Sequence, residues 1–161
     1  MIKYLVMDVD GTLTDGKIYM GNDGEIFKAF DIKDGYGIYA LLPQNGIQPV
    51  IITGRTSTIV QNRCNELGIG QVYQGVKDKI AQLTNVAGNL SEVAYIGDDL
   101  NDMPVIQAVK QAGGITACPK NAIKKVKDSV SFVSSYNGGE GAVREFIDWL
   151  IDRATGWSGR A

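Results

Sequence analysis

Three segments of the sequence end short apolar runs with polar residues that packing alone gives no reason to keep. They are Asp8-Val9-Asp10-Gly11-Thr12-Leu13-Thr14, Ile51-Ile52-Thr53-Gly54-Arg55 and Ile96-Gly97-Asp98-Asp99-Leu100-Asn101-Asp102, with Lys79 between the second and the third. Residues two apart on an extended chain point to the same side, so Asp8 and Asp10 are expected to converge on one ligand while Gly11 lets the chain turn sharply. With Asp98 and Asp99 added, four carboxylates would repel and raise one another's pKa unless a cation compensates them. No His or Cys stands among them, and an all-oxygen donor set favours Mg²⁺.

The chain contains no histidine. That excludes serine-histidine triads, histidine general bases and histidine-ligated zinc, and it leaves acid-base work to carboxylates, Lys, Tyr or Cys. Taken singly, each motif has a structural alternative. Asp-x-Asp suits a turn with a helix cap, Thr53-Gly54 suits a strand end, and Asp102, just before Pro104 and a periodic helix, reads as an N-cap rather than a catalyst. The order Asp-x-Asp, Thr, Lys, Asp-Asp across successive element ends is far more specific than any one of them.

The elements that must position these residues follow from periodicity. Strands are expected at 4–9, 49–53, 71–73, 93–96, 114–117 and 131–133, and helices at 35–42, 57–67, 78–87, 102–110, 122–126 and 141–151. This alternation predicts an α/β fold with a mainly parallel sheet flanked by helices, a Rossmann-like arrangement in which ligands bind beyond the carboxyl ends of the strands. Residues 17–30 depart from it and read as a small β-hairpin flap around Asn22-Asp23-Gly24. One domain is expected over 1–154, with 155–161, which lack periodicity, as a mobile tail.

Bulk properties agree with this picture. At 161 residues, 44% hydrophobic and 21% charged, the chain has the composition of a soluble globular domain. A net charge of −2 with scattered Lys and Arg gives no footprint for nucleic acid or an anionic membrane. Asp8 and Asp10 interrupt the first apolar run too early for a signal peptide or membrane span, so a cytoplasmic location is expected. Cys64 and Cys118 read as reduced, buried thiols.

The four motifs resemble those of the haloacid dehalogenase-like phosphatases, matching Asp8-Val9-Asp10-Gly11-Thr12, Thr53, Lys79 and Gly97-Asp98-Asp99. The resemblance implies that Asp8 attacks phosphorus. Asp10 would protonate the leaving oxygen and then activate water, and Mg²⁺ would be held by the Asp8 and Asp98 carboxylates and the Asp10 backbone carbonyl. Physical chemistry fits these roles, because phosphoryl transfer needs mostly positioning and neutralisation of spread negative charge. Lys79, the Thr53 hydroxyl and a Gly54 amide at a helix N-terminus would share that neutralisation with the cation.

No cap domain fits between Asp10 and Thr53 or between Thr53 and Lys79. The chain is similar over nearly its whole length to the capless phosphatases of 3-deoxy-D-manno-octulosonate 8-phosphate and related nine-carbon sugar-acid phosphates. Lys28-Ala29-Phe30, Asp34-Gly35-Tyr36-Gly37-Ile38, Arg63-Cys64, Tyr73-Gln74-Gly75 and the stretch from Gly138 to Glu145 carry this likeness. It implies a sugar-acid phosphate substrate, a homotetramer built partly by the flap, and a place in lipopolysaccharide biosynthesis. Thr53, Gly54, Lys79, Arg55, Arg63 and Asn101 are the expected substrate contacts, the two arginines suiting a substrate carboxylate. Arg55 and the Arg63-Cys64 pair point to the eight-carbon branch over the nine-carbon one. The glycines around 138–141 read as a flexible helix entry outside the catalytic set. A phospho-receiver signalling module also clusters aspartates, Thr and Lys around Mg²⁺, but its acidic pair comes first and its Lys last.

Overall fold

A computed structural model describes residues 1–156. Six strands form one parallel sheet: β1 (Tyr4–Met7), β4 (Gln48–Ile52), β5 (Gln71–Tyr73), β6 (Val93–Ile96), β7 (Ile115–Cys118) and β8 (Phe132–Val133), in the order β5-β4-β1-β6-β7-β8. A separate antiparallel pair, β2 (Tyr19–Gly21) and β3 (Gly24–Phe27), makes the flap. The helices are α1 (Ile32–Tyr36), which continues through a wider turn at Gly37–Leu41 into α2 (Leu42–Gln44), then α3 (Thr58–Glu66), α4 (Lys79–Val86), α5 (Met103–Gln111), α6 (Lys124–Lys127) and α7 (Ala142–Thr155).

The sheet is buried on both faces, which explains the near-continuous apolar strands. Side chains alternate between two cores with a period of two. Leu5, Met7, Ile51, Ala94 and Ile96 meet Ile38, Leu42, Phe146, Ile147 and Leu150 on one side. Val6, Val50, Ile52, Val93 and Tyr95 meet Leu83, Val105, Ile106 and Val109 on the other. Burial of each such aliphatic side chain is worth roughly 1.5–3 kcal/mol, so β1, with Leu5, Val6 and Met7 all fully buried, is firmly held. It is also the strand that ends at Asp8.

Strand and helix boundaries fall within a few residues of those expected, with two informative exceptions. The first helix begins at Ile32 and not at 35, because Asp31 caps it: its Oδ1 accepts from Lys33 N at 2.7 Å. Gly35 and Gly37, both within the expected helix, lie inside the helical stretch. At the other end α7 runs to Thr155, whose hydroxyl donates to the Ile151 carbonyl at 3.0 Å, past the expected helix end at 151. The rest of the expected mobile tail, 157–161, lies outside the described residues. Cys64 and Cys118 are free and buried as expected, and burial pushes the Cys64 thiol up to about 11 and that of Cys118 to about 12.

One buried charge ties the segment after the flap to the last helix. Asp34 is almost fully buried, and its Oδ1 accepts from Arg144 N at 2.8 Å in the first turn of α7. Burial raises its carboxyl to about 6, the helix amides of Arg144, Gly141 and Val143 only partly offsetting that and Asp31 adding to it. A raised carboxyl favours the folded state below the unfolded pKa near 4, and the advantage is lost as pH climbs through about 6. Asp34→Asn keeps the acceptor without the charge. Between pH 4 and 7.5 the unfolding free energy of the variant should therefore gain on that of the parent by about 1–3 kcal/mol. Urea unfolding at several pH values checks this, and a parent that gains on the variant as pH rises would contradict it.

Candidate active site

The polar residues singled out above gather at the carboxyl ends of β1, β4 and β6. Parallel pairing of Met7 with Ile96 sets the register, and Asp8 N donates to the Ile96 carbonyl at 3.1 Å. Asp8 is therefore the first residue past β1, and Asp98 the second past β6. The carboxylate oxygens of Asp8, Asp98 and Asp102 lie within 4.8 Å of one another. Asp8 is 5% exposed and Asp102 is fully buried.

The composition of this cluster corrects the expectation of four converging carboxylates. Asp99 is exposed and caps the turn at Leu100–Asp102, accepting from Leu100 N at 2.7 Å. Asp10 also stays out of the carboxylate cluster. The strand has ended before it, the chain turns at Gly11 (φ 87°), and its Oδ1 faces Lys28 Nζ at 2.6 Å. Asp102 takes the vacated position, and its side chain does not cap α5. Its Oδ1 accepts from Lys79 Nζ at 2.8 Å and the Tyr95 hydroxyl at 2.5 Å, while Oδ2 accepts from Asp98 N at 2.9 Å and Asp99 N at 3.1 Å.

With four donors Asp102 has no lone pair to spare, so its part is to fix Lys79 and the 97–99 turn. Tyr95 is held protonated, its pKa driven well above the ordinary value by burial and by the charges of Asp102 and Asp8. Lys79 opens α4, whose N-cap Asp78 accepts from Ala81 N at 3.0 Å. Its ammonium lies 3.1 Å from Asp8 Oδ1. Burial alone would lower the pKa of Lys79, but Asp8 and Asp102 more than offset that and raise it.

Asp8 and Asp98 are raised to about 6 and about 7, first by burial and then by neighbouring carboxylates, Asp102 for Asp8 and both Asp8 and Asp102 for Asp98. The Thr12 hydroxyl donates to Asp98 Oδ1 at 3.0 Å. A Cβ at Gly11 would stand 2.1 Å from Asp98 Oδ2, so only glycine allows this approach. The two carboxylates form a hard, oxygen-only, negatively charged site of the kind that suits Mg²⁺.

Thr53 is buried past the end of β4, its backbone paired to Tyr73 and Val76, and among the described residues nothing hydrogen-bonds its hydroxyl. Gly54 is not at a helix N-terminus. A loop to Ser57 separates it from α3, so its amide belongs to that loop. Asn101 is exposed and lines a cleft with Val76, Asp78 and Lys79. Arg55 is half exposed, with Nη2 3.6 Å from Glu25 Oε2. Arg63 packs over Phe30, pairs with Glu66 at 2.8 Å and makes no described contact with the carboxylate cluster.

The glycine-rich segment does more than enter a helix. A Cβ at Gly138 would come within 2.0 Å of the Gly11 carbonyl oxygen, and Gly139 N donates to the Thr12 carbonyl at 3.3 Å, so this loop backs the turn that carries Asp10. Asn121 accepts from Gly138 N at 3.0 Å, and Glu145 accepts from Ser135 N at 2.8 Å and from the Ser134 hydroxyl. Four residues that serve the site were passed over in the sequence: Tyr95, hidden in an apolar strand; Asp102, set aside as a cap; and Thr12 and Lys28, which stand inside quoted motifs without a role.

A cation must displace any protons held by Asp8 and Asp98. Because both pKa values are raised toward neutrality, Mg²⁺ affinity should weaken as pH falls below about 7, with on the order of one proton released per site at pH 6.5 and almost none above pH 8. Calorimetric titrations in buffers of different ionisation enthalpy measure that release. Affinity independent of pH from 6 to 8 would contradict it.

Comparison with known proteins places these features. A family model described as haloacid dehalogenase-like hydrolase matches residues 75–147. The 3-deoxy-D-manno-octulosonate 8-phosphate phosphatase KdsC of Salmonella typhi is 43% identical over 154 residues, which span 93% of this chain and 79% of the relative. The crystal structure of the corresponding phosphatase from Yersinia pestis has a TM-score of 0.85 at 42% identity, covering 96% of this chain and 83% of the other. That of Moraxella catarrhalis, in complex with a magnesium ion, a phosphate ion and a KDO molecule, has a TM-score of 0.84 at 41% identity, covering 95% and 87%. With the same fold and this identity across nearly its whole length, the chain belongs to the 3-deoxy-D-manno-octulosonate 8-phosphate phosphatases of the haloacid dehalogenase-like hydrolases.

Proposed function

We propose that this protein is a magnesium-dependent phosphatase that hydrolyses 3-deoxy-D-manno-octulosonate 8-phosphate through a phosphate ester on Asp8. The observation that carries the reading is the Asp8 carboxylate itself. It is buried at the end of the central strand, 3.1 Å from the Lys79 ammonium and beside Asp98, in a chain 43% identical to an enzyme of that name. Asp8 and Asp98, with the Asp10 backbone carbonyl, would hold Mg²⁺, which when bound neutralises charge on the phosphoryl oxygens.

The residues divide the work as follows. The Asp8 oxygen not engaged by Lys79 attacks phosphorus, and the bond from phosphorus to the sugar oxygen breaks. Asp10 gives its proton to that departing oxygen. It then takes a proton from the water that attacks the aspartyl phosphate, which frees inorganic phosphate and returns Asp8 to a carboxylate. Lys79 and the Thr53 hydroxyl, the latter without a protein partner among the described residues, bind the phosphoryl oxygens with the Gly54 amide. Arg55, Arg63 and Asn101 are the proposed contacts to the sugar acid, and the octulosonate relatives favour the eight-carbon substrate over a nine-carbon one.

The active form in this reading is a homotetramer. Support comes from the flap and the helix after it, where Met20, Ile26 and Ile32 are 62%, 61% and 83% exposed and Phe27, Tyr36 and Tyr39 extend the apolar surface. A second copy would cover that surface and close a face that has no cap. Among the described residues no helix is long and apolar enough to cross a membrane, and two free thiols suit a reducing compartment, which supports a cytoplasmic location.

Steady-state kinetics test the chemistry. Asp8→Asn should abolish turnover, the amide being a very poor nucleophile, and an Asn variant that keeps more than a few per cent of the rate, roughly, would sink the assignment. Arg55→Ala and Arg63→Ala should each raise KM for the sugar-acid phosphate about tenfold while hardly changing that for p-nitrophenyl phosphate, which has no carboxylate to bind. Equal sensitivity of both substrates would remove the arginines from the site. For the assembly, sedimentation should give a tetramer that Met20→Lys or Ile26→Lys dissociates, and a fully active monomer at assay concentration would contradict the shared face.

A further inference from the structure

The flap carries a lysine that no part of the chemistry above uses. Lys28 follows β3, its side chain is 1% exposed, and its ammonium sits 2.6 Å from Asp10 Oδ1 and 2.9 Å from Glu25 Oε2. A buried ammonium is unfavourable unless it is paired and hydrogen-bonded, so a lysine is not kept in this position by packing alone. Glu25 is held in turn by the Ser57 hydroxyl at 2.8 Å and by Arg55 at 3.6 Å. Ser57 and Arg55 lie on the loop that follows Thr53. Lys28 thus joins the loop that carries Asp10 to the loop that carries the phosphate and sugar contacts.

We infer that Lys28 is a positioning residue for Asp10. It fixes one carboxylate oxygen and thereby turns the other, Oδ2, toward the leaving group. Among the described residues nothing donates to Oδ2. Asp10 sits on a turn with no strand to hold it, just before Gly11, and its carboxylate has no contact to the Asp8 and Asp98 pair that would orient it instead. A proton donor must lie within hydrogen-bond reach of the atom it serves, and a freely turning carboxylate loses much of that advantage. Glu25 completes the device by holding the lysine, so the flap orients the acid as well as offering a surface to another copy. This inference rests on the assignment of Asp10 as the acid and base of the reaction.

The test compares Lys28→Met, Lys28→Arg, Asp10→Asn and the Asp10→Asn/Lys28→Met double variant on two substrates. On the sugar-acid phosphate, whose alkoxide leaves poorly, Lys28→Met should lower kcat about 10²-fold with KM changed by less than about threefold. On p-nitrophenyl phosphate, whose leaving group needs no proton, rapid mixing should show a burst on the order of one nitrophenolate per subunit followed by slow turnover, because attack by Asp8 is spared while hydrolysis of the aspartyl phosphate is not. Lys28→Arg, which keeps the charge, should recover most of the rate, and the double variant should be no slower than Asp10→Asn alone.

A kcat for Lys28→Met within about threefold of the parent, burst and steady state slowed by the same factor, or losses that multiply in the double variant would overturn the inference. Should Lys28→Met fail to fold, Glu25→Gln, which loosens the lysine but leaves it paired with Asp10 and leaves only the half-exposed Arg55 to water, must show the same burst and the same selective loss of kcat, and its absence overturns the inference equally. Asp10→Asn alone separates the two readings. If it is nearly inactive while Lys28→Met is not impaired, only the role of Lys28 falls; if it is active, both fall.

Discussion

Negative charge crowded into a place with little water is the condition on which the rest of this site depends. The parallel register of β1 and β6 leaves Asp8 and Asp98 side by side just beyond the sheet, and Asp102 joins them from below. Burial penalises each charge first, and Coulomb repulsion between such groups grows as the surroundings lose water. Every neighbouring feature serves to offset it. Lys79 bridges Asp8 and Asp102, Tyr95 and two backbone amides complete the shell of Asp102, and Thr12 donates to Asp98. What this shell leaves uncompensated appears as the raised pKa values of Asp8 and Asp98, and that remainder is what draws a divalent cation and a phosphoryl group together.

The fold supplies the rigidity that this arrangement needs. Groups that repel will drift apart unless stiff elements hold them, and here the two carboxylates follow adjacent central strands that are buried where they lead into the site. Looser parts are braced from outside. The turn after Asp8 is backed by the Gly138 loop, itself tied down by Asn121 and Glu145, and the flap returns to the same turn through the bridge between Thr14 and Phe30. Preorganisation of this kind lets charge stabilisation act at the moment of reaction without a cost for reorganising solvent.

Much of this was legible in the sequence, for physical reasons that also mark its limits. Buried parallel strands must be apolar and short, so the strands and the polar residues that end them, Asp8, Thr53 and Asp98 among them, stand out by that contrast, while Lys79 opens a helix and is marked only by its place in the order of motifs. Periodicity carries no information about partners brought from far along the chain. Asp102 looked like a helix cap because its local setting is that of one; only the fold reveals Lys79 and Tyr95 on its other side. Lys28 lies eighteen positions from Asp10 on a hairpin whose register alone decides where it points. Asp10 was expected beside Asp8 because an extended chain was assumed to continue, whereas β1 stops at Met7. Arg63 reads from the sequence as a cation for a substrate carboxylate, and in the fold its guanidinium packs on Phe30, a contact no helical spacing predicts.

The central claim is that phosphate passes through a covalent ester on Asp8. Rapid acid quench of the enzyme with magnesium and substrate labelled in its phosphoryl group, followed by peptide mapping, addresses that directly. The account predicts a transient label on the peptide containing Asp8, stable in acid and released by hydroxylamine as an acyl phosphate should be. Label appearing only in inorganic phosphate at every time point, or on a peptide without Asp8, would contradict it.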